Sequence, residues 1–329
     1  MIKMTKRARL EACIAGEAVD RPPVALWRHW PGDDQRSDDL LRATLNFQKQ
    51  YDFDFIKFTP SSNYCIADYG QKSTWLSNDE GTRVWGERVI QKPDDWLNLK
   101  VLDPQQGLMG EITRAVLALG QSDIDAPFIP TIFNPLAQAK NLAGEKLLPH
   151  LRQYPDAVKA GLAAITESTL RFIEAVKPSG MAGIFLAVQH ATYTRLTEAE
   201  YKTFGLDDDL RLLERAAGWF NMAHLHGSDV MFDLTTDYPT QVINWHDQET
   251  SPTLSEGQAR FSGAVCGGIR QWETMVRGTP DMVRAEVEQA VQSTGGRRLI
   301  LGTGCVTPIT APTSNIRAAR QAVEDIRGI

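Results

Sequence analysis

Apolar residues along this chain fall into two rhythms. Short, nearly continuous hydrophobic runs alternate with longer stretches in which apolar residues recur every three to four positions. The first rhythm predicts strands buried on both faces, and the second predicts amphipathic helices packed over them. Strands are expected at 23–27 (PVALW), 53–58 (FDFIKF), 128–133 (FIPTIF), 183–188 (GIFLAV), 220–225 (FNMAHL), 241–245 (QVINW), 263–267 (GAVCG) and 298–302 (RLILG). Over 156–176, Val158, Leu162, Ile165, Leu170, Ile173 and Val176 keep helical spacing. Thr279-Pro280 reads as an N-cap followed by Pro at the first helical position, ahead of a helix near 281–293. Ser314-Asn315 starts a last helix that is expected to end at Gly328.

Strand and helix in alternation need parallel pairing through right-handed crossovers. Eight strands in 329 residues predict an α/β protein of the (β/α)8 TIM-barrel class, one domain over 1–329. Residues 70–105 break the rhythm. There Thr74-Trp75-Leu76, Arg83-Val84-Trp85 and Arg88-Val89-Ile90, punctuated by Asn78-Asp79-Glu80-Gly81, predict a small antiparallel insertion.

Composition narrows the function. A net charge of −6 without any Lys/Arg cluster argues against nucleic acid as a partner. No run approaches the ~20 apolar residues of a membrane span. The start, MIKMTKRARLEA, lacks the apolar core of a signal peptide. Four scattered cysteines offer no disulfide framework. The expectation is a cytoplasmic protein acting on a small molecule, with a homodimer left open.

Of the six histidines, five (His29, His190, His224, His226 and His246) fall at or just past the C-terminal end of an expected strand; His150 does not. The same rule collects Arg28, Lys57, Asn134, Gln189, Asp247 and Cys305. In α/β barrels that end carries the active site. Arg28 offers two-point binding of a substrate carboxylate or phosphate. His224 and His226, two apart on a strand, point to one face. With Cys305 they make a three-ligand set suited to Zn²⁺ or a similar divalent metal. His246 and Asp247 are candidates for a fourth ligand, a partner to a ligand, or a general base. The competing reading is that the two histidines only end a buried strand.

Several segments resemble the uroporphyrinogen decarboxylase superfamily, which holds porphyrin decarboxylases and zinc-dependent corrinoid or coenzyme M methyltransferases. They are KRARLEACIAGEAVDRPPV, FIPTIFNPLAQAKNLAG, GIFLAVQHA with LTEAEYKTF, HLHGSDVMFDLTTDYPTQVINW and GCVTPITAPTSNIRAARQAV. The resemblance implies a (β/α)8 barrel. The decarboxylases carry a first-strand motif of the RQAGR type and an aspartate after the second strand. Here WRHWPGDD has Arg28 without a second arginine at that spacing, and KFTPSSNY has Thr59-Pro60 in place of the acid. Uroporphyrinogen itself is therefore not the expected substrate. The methyltransferases pair His-x-Cys with a distant cysteine. His224 matches the histidine, His226 replaces the first cysteine, and Cys305 matches the second.

The resemblance and the residues together imply a metal-dependent methyltransferase with Zn²⁺ on His224, His226 and Cys305. Arg28, His29, Gln189, His190, His246 and Asp247 would orient the substrate or move protons, and the implied partner is a corrinoid on a separate protein. The alternative is a decarboxylase or other lyase acting on a small carboxylated substrate.

Overall fold

Seven of the eight expected runs form strands, and they build one parallel sheet. In chain order the strands are β1 (Ile56–Phe58), β2 (Ser73–Trp75), β3 (Arg83–Trp85), β4 (Phe128–Phe133), β5 (Phe185–Val188), β6 (Met222–Leu225), β7 (Val242–Trp245), β8 (Ala264–Ile269) and β9 (Leu299–Thr303). The structure, a computed structural model, describes residues 3–326. The sheet order is β1-β4-β5-β6-β7-β8-β9, every pair parallel. Every residue of these seven strands is buried. Continuous apolar runs did mark strands covered on both faces.

The eighth expected strand, 23–27, departs from the pattern. Val24 makes a single parallel bridge to Leu301. The segment still lies at the seam: Ala25 N–H donates to Leu301 O (3.0 Å), Leu301 N–H to Pro23 O (2.8 Å) and Asp54 N–H to Val24 O (3.0 Å). Pro23 has no N–H to give a ladder, and the Val24 N–H is taken by the Asp54 carboxylate at 2.8 Å. The fold is thus TIM-barrel-like, a curled seven-stranded parallel sheet rather than the eight strands expected.

Helices cover the sheet. Pro155–Val176 follows the expected apolar stripe. The helix Pro280–Thr294 is capped by Thr279, whose side chain accepts from Met282 N–H. The last helix is Thr313–Ala322, and Gly328, where its end was expected, lies outside the described residues. In the insertion, β2 and β3 pair antiparallel with Thr74 opposite Val84. The third expected strand, Arg88-Val89-Ile90, does not form. Its groups turn to the 141–142 backbone instead: Ile90 N–H donates to Leu142 O and Arg88 Nη1 to Asn141 O. Among the described residues no helix is long and apolar enough to cross a membrane.

Candidate metal centre

Three strand ends deliver the reactive side chains to one place. His224 lies on β6 opposite Asn244 of β7. His226, two residues on, keeps the same side, with its N–H still bonded to Val188 O of β5 at 2.9 Å. His246 follows β7 directly, and Cys305 follows β9 after Gly304. Only glycine allows that last approach, because a Cβ on residue 304 would stand 2.8 Å from both Trp245 O and His246 Cα.

The donor atoms of His224, His226, His246 and Cys305 all lie within 4.8 Å of one another. Cys305 Sγ is 3.8 Å from His224 Nε2 and 3.8 Å from His226 Nδ1. His246 Nε2 is 3.5 Å from His226 Nδ1. A tetrahedral zinc with ordinary bond lengths spaces its ligand atoms roughly 3.3–3.6 Å apart. The three separations of 3.5–3.8 Å are within a few tenths of an ångström of that spacing, and a pair as far apart as 4.8 Å closes by about an ångström around such an ion.

Asn244 fixes the tautomer of His224. Its Nδ2 donates to Cys266 O (2.8 Å) and Thr303 O (3.2 Å), so Oδ1 is the atom 2.6 Å from His224 Nδ1. The imidazole must donate from Nδ1, which leaves the Nε2 lone pair facing Cys305. Burial pushes His226 down to about 4 and His224 well below the usual range, helped by the neighbouring imidazoles. Both rings are neutral at pH 7, the form that binds metal. Burial also pushes the Cys305 thiol up to about 12, so as a bare group it keeps its proton. A cation among these donors would reverse that preference.

A cavity of about 160 Å³ opens beside the cluster, lined by His29, Lys57, Glu80, Gln189 and Phe185 together with His224, His226 and Cys305. The Lys57 ammonium lies 4.4 Å from the Phe185 ring centre, and burial lowers its pKa to about 7. Burial, with the Lys57 and Arg28 charges, pushes His29 down to about 3.

The other expected site residues are placed differently. Arg28 lines an adjoining small cavity that shares Trp27 and Lys57 with the first, its guanidinium 5.1 Å from the Trp30 ring centre. Asp247 faces β8, accepting from Gly268 N–H (3.1 Å) and Gln248 Nε2 (2.8 Å). His190 lines a neighbouring cavity with Gln189 and His226. Asn134 caps the helix Pro135–Ala143 and donates to Asp209, a structural role. Sequence reasoning missed Glu80 and Asn244. Glu80 sits in the turn of the insertion, where its chain position gave no hint of the mouth. For Asn244 a signal existed: a polar amide inside the apolar run QVINW needs a partner.

With this geometry in place, the comparisons agree with the fold. Residues 5–326 match the family described as uroporphyrinogen decarboxylase (URO-D), and the chain belongs to that family. Its structure is similar to that of a methyltransferase from Methanosarcina mazei, with a TM-score of 0.85 at 15% identity over 98% of this chain and 99% of that one. It is also similar to a B12-independent methionine synthase from Shewanella sp. bound to selenomethionine, with a TM-score of 0.56 at 14% identity over 92% and 91% of the two chains. At such identities the likeness is one of fold. No curated protein matches the chain.

Proposed function

We propose that this protein is a metal-dependent methyltransferase of the URO-D superfamily, acting on a small molecule as one domain over its whole length. The observation that carries the reading is the convergence of three imidazole nitrogens and one thiol within 4.8 Å of one another. His224, His226 and Cys305 hold Zn²⁺ or a similar divalent metal, and His246 stands at the fourth position. When bound, the metal supplies the Lewis acidity that keeps a thiol acceptor deprotonated near neutral pH. Asn244 holds His224 in the ligating tautomer. Lys57 and Gln189 orient the substrate from the cavity wall, and Phe185 with Trp27 keeps bulk water from it. A corrinoid on a separate protein is the proposed methyl donor, on the family resemblance.

Elemental analysis of protein purified without chelator tests the reading, repeated on His226→Ala and Cys305→Ala. The expected result is about one metal per chain in the wild type and less than a tenth of that in each variant. A metal-free wild type that cannot be loaded overturns it. One observation favours the lyase alternative: Lys57 is a buried cation in the same cavity, placed to hold a carboxylate. Substrate-dependent CO2 release would distinguish the two. Arg28, expected to grip that carboxylate, lines the small adjoining cavity on the other side of Trp27 and Lys57.

A further inference from the structure

A second cavity, of about 390 Å³, adjoins the metal-side cavity; Ser62, Thr82, Gln189 and His226 line both. Its remaining wall carries Arg83, Lys140 and Arg195, and no carboxylate among the described residues. The chain as a whole has a net charge of −6, so three cations at one opening are not a sample of a generally basic surface. They arrive from three separate places: β3, the helix after β4, and the loop after β5.

Arg83 is partly engaged, 3.8 Å from the Asp34 carboxylate and bonded to Ser73 Oγ at 3.0 Å. Among the described residues Lys140 and Arg195 make neither an ion pair nor a side-chain hydrogen bond. Lys140 is half-buried, and its pKa is lowered by burial and then by the Arg88 and Arg195 charges, with Glu145 opposing. His190 lines the same cavity, and among the described residues its buried Nδ1 has no partner. Like charges held together with no more counter-charge than Asp34 beside Arg83 and the more distant Glu145 cost stability, and an arriving oxyanion relieves that cost through charge-assisted hydrogen bonds.

We infer that this cavity is an oxyanion subsite: Lys140 and Arg195, with Thr192 and Thr194 beside them, hold a carboxylate or phosphate on the substrate. The shared wall at His226 and Gln189 lets the other end of that molecule reach the metal-side cavity. The inference deepens the methyltransferase reading by naming the charged end of its small-molecule substrate. It does not depend on the metal for its test.

Isothermal titration of the purified protein, at constant ionic strength, with potassium phosphate and separately with malonate supplies that test. At least one of the two should bind saturably, and the pair tells phosphate from carboxylate. Lys140→Gln/Arg195→Gln should weaken that binding about tenfold or more, about 1.4 kcal/mol. Arg195→Gln alone, which alters an exposed side chain, should weaken it by a smaller factor and keeps the test valid if the double variant misfolds. Saturable binding of neither anion, or equal binding by the variants, overturns the subsite. Metal content measured on the same samples separates the two claims. Anion binding by protein that takes no metal fails the methyltransferase reading alone, and a metal-replete protein that ignores both anions fails the subsite alone.

Discussion

Two buried polar clusters occupy opposite ends of the same sheet, and they are built on opposite principles. At the end where the strands begin, Asp54 is fully buried and accepts four hydrogen bonds: from Arg9 Nη1 (2.7 Å), Arg21 Nη1 (2.8 Å), Arg21 Nη2 (3.1 Å) and Val24 N–H (2.8 Å). Arg9 turns its other nitrogens to Asp20, both at 2.7 Å. Charge meets counter-charge there, and each lone pair is used. At the mouth, imidazole faces imidazole and thiol at 3.5–3.8 Å, and Lys57 lies over aromatic rings. The buried Nδ1 of His190 has no partner among the described residues. The satisfied cluster around Asp54 reads as stability, whereas the sparsely paired cluster at the strand ends reads as a candidate ligand site.

The largest effect that would break this comparison lies at the satisfied end. Asp54→Ala removes the buried counter-charge shared by two guanidinium groups, which keep only Asp20 (Arg9) and Glu324 (Arg21), and leaves the Val24 N–H unpaired; it should cost about 3–5 kcal/mol in urea unfolding. Metal content per folded molecule should stay unchanged. If that variant loses metal while keeping its stability, the division of labour between the two ends is wrong. At the mouth, Asn244→Ala should weaken metal binding about 10–100-fold in chelator competition, because His224 loses the acceptor that sets its tautomer. Retained affinity in that variant would remove Asn244 from the site.

How far the sequence disclosed each end follows from what sequence can encode. The strands were legible because burial on both faces leaves continuous apolar runs, and seven of eight fell where those runs lie. The eighth failed locally: Pro23 withholds an N–H, and a side chain 30 residues away takes the next one. The placement of His224, His226, His246 and Cys305 followed from counting residues past strand ends. Arg28 and Asp247 obey the same count yet turn aside, toward Trp30 and toward β8. Strand position fixes where a side chain starts, and packing decides which way a long or hydrogen-bonding one leans. The ion network of Arg9, Asp20, Arg21 and Asp54 went unseen, since scattered charges announce their pairing only in three dimensions.

Acid should separate the ends next. The Arg9 guanidinium, with the Met4 and Arg21 N–H groups, holds Asp20 at about 2 against the desolvation that opposes it. Its folded pKa is thus below the unfolded value of about 3.9. The stability it contributes is complete above about pH 4 and is lost as pH falls from there through about 2. Urea midpoints taken across that window should decline in the wild type. The decline should be shallower in Asp20→Asn, whose side chain does not titrate, and identical slopes in the two proteins would count against the network.

The smallest effect carries the opposite sign, and it sharpens the contrast most. Lys57 is 7% exposed. Among the described residues its ammonium has no carboxylate within ion-pair reach. Holding it there costs desolvation without the pairing that Asp54 gives Arg9 and Arg21. Lys57→Met keeps the length of the side chain and its contact with Phe185 while removing the charge. It should raise stability by about 0.5–2 kcal/mol, the usual scale when a functional strain is released. The same change should weaken substrate binding, since among the described residues Lys57 is the one Lys or Arg lining the cavity beside Cys305. A stabilised variant with weakened binding is the signature of a group kept for its ligand. If Lys57→Met is instead less stable than the wild type, the mouth is held together by its polar groups just as the far end is, and the two regions differ only in composition.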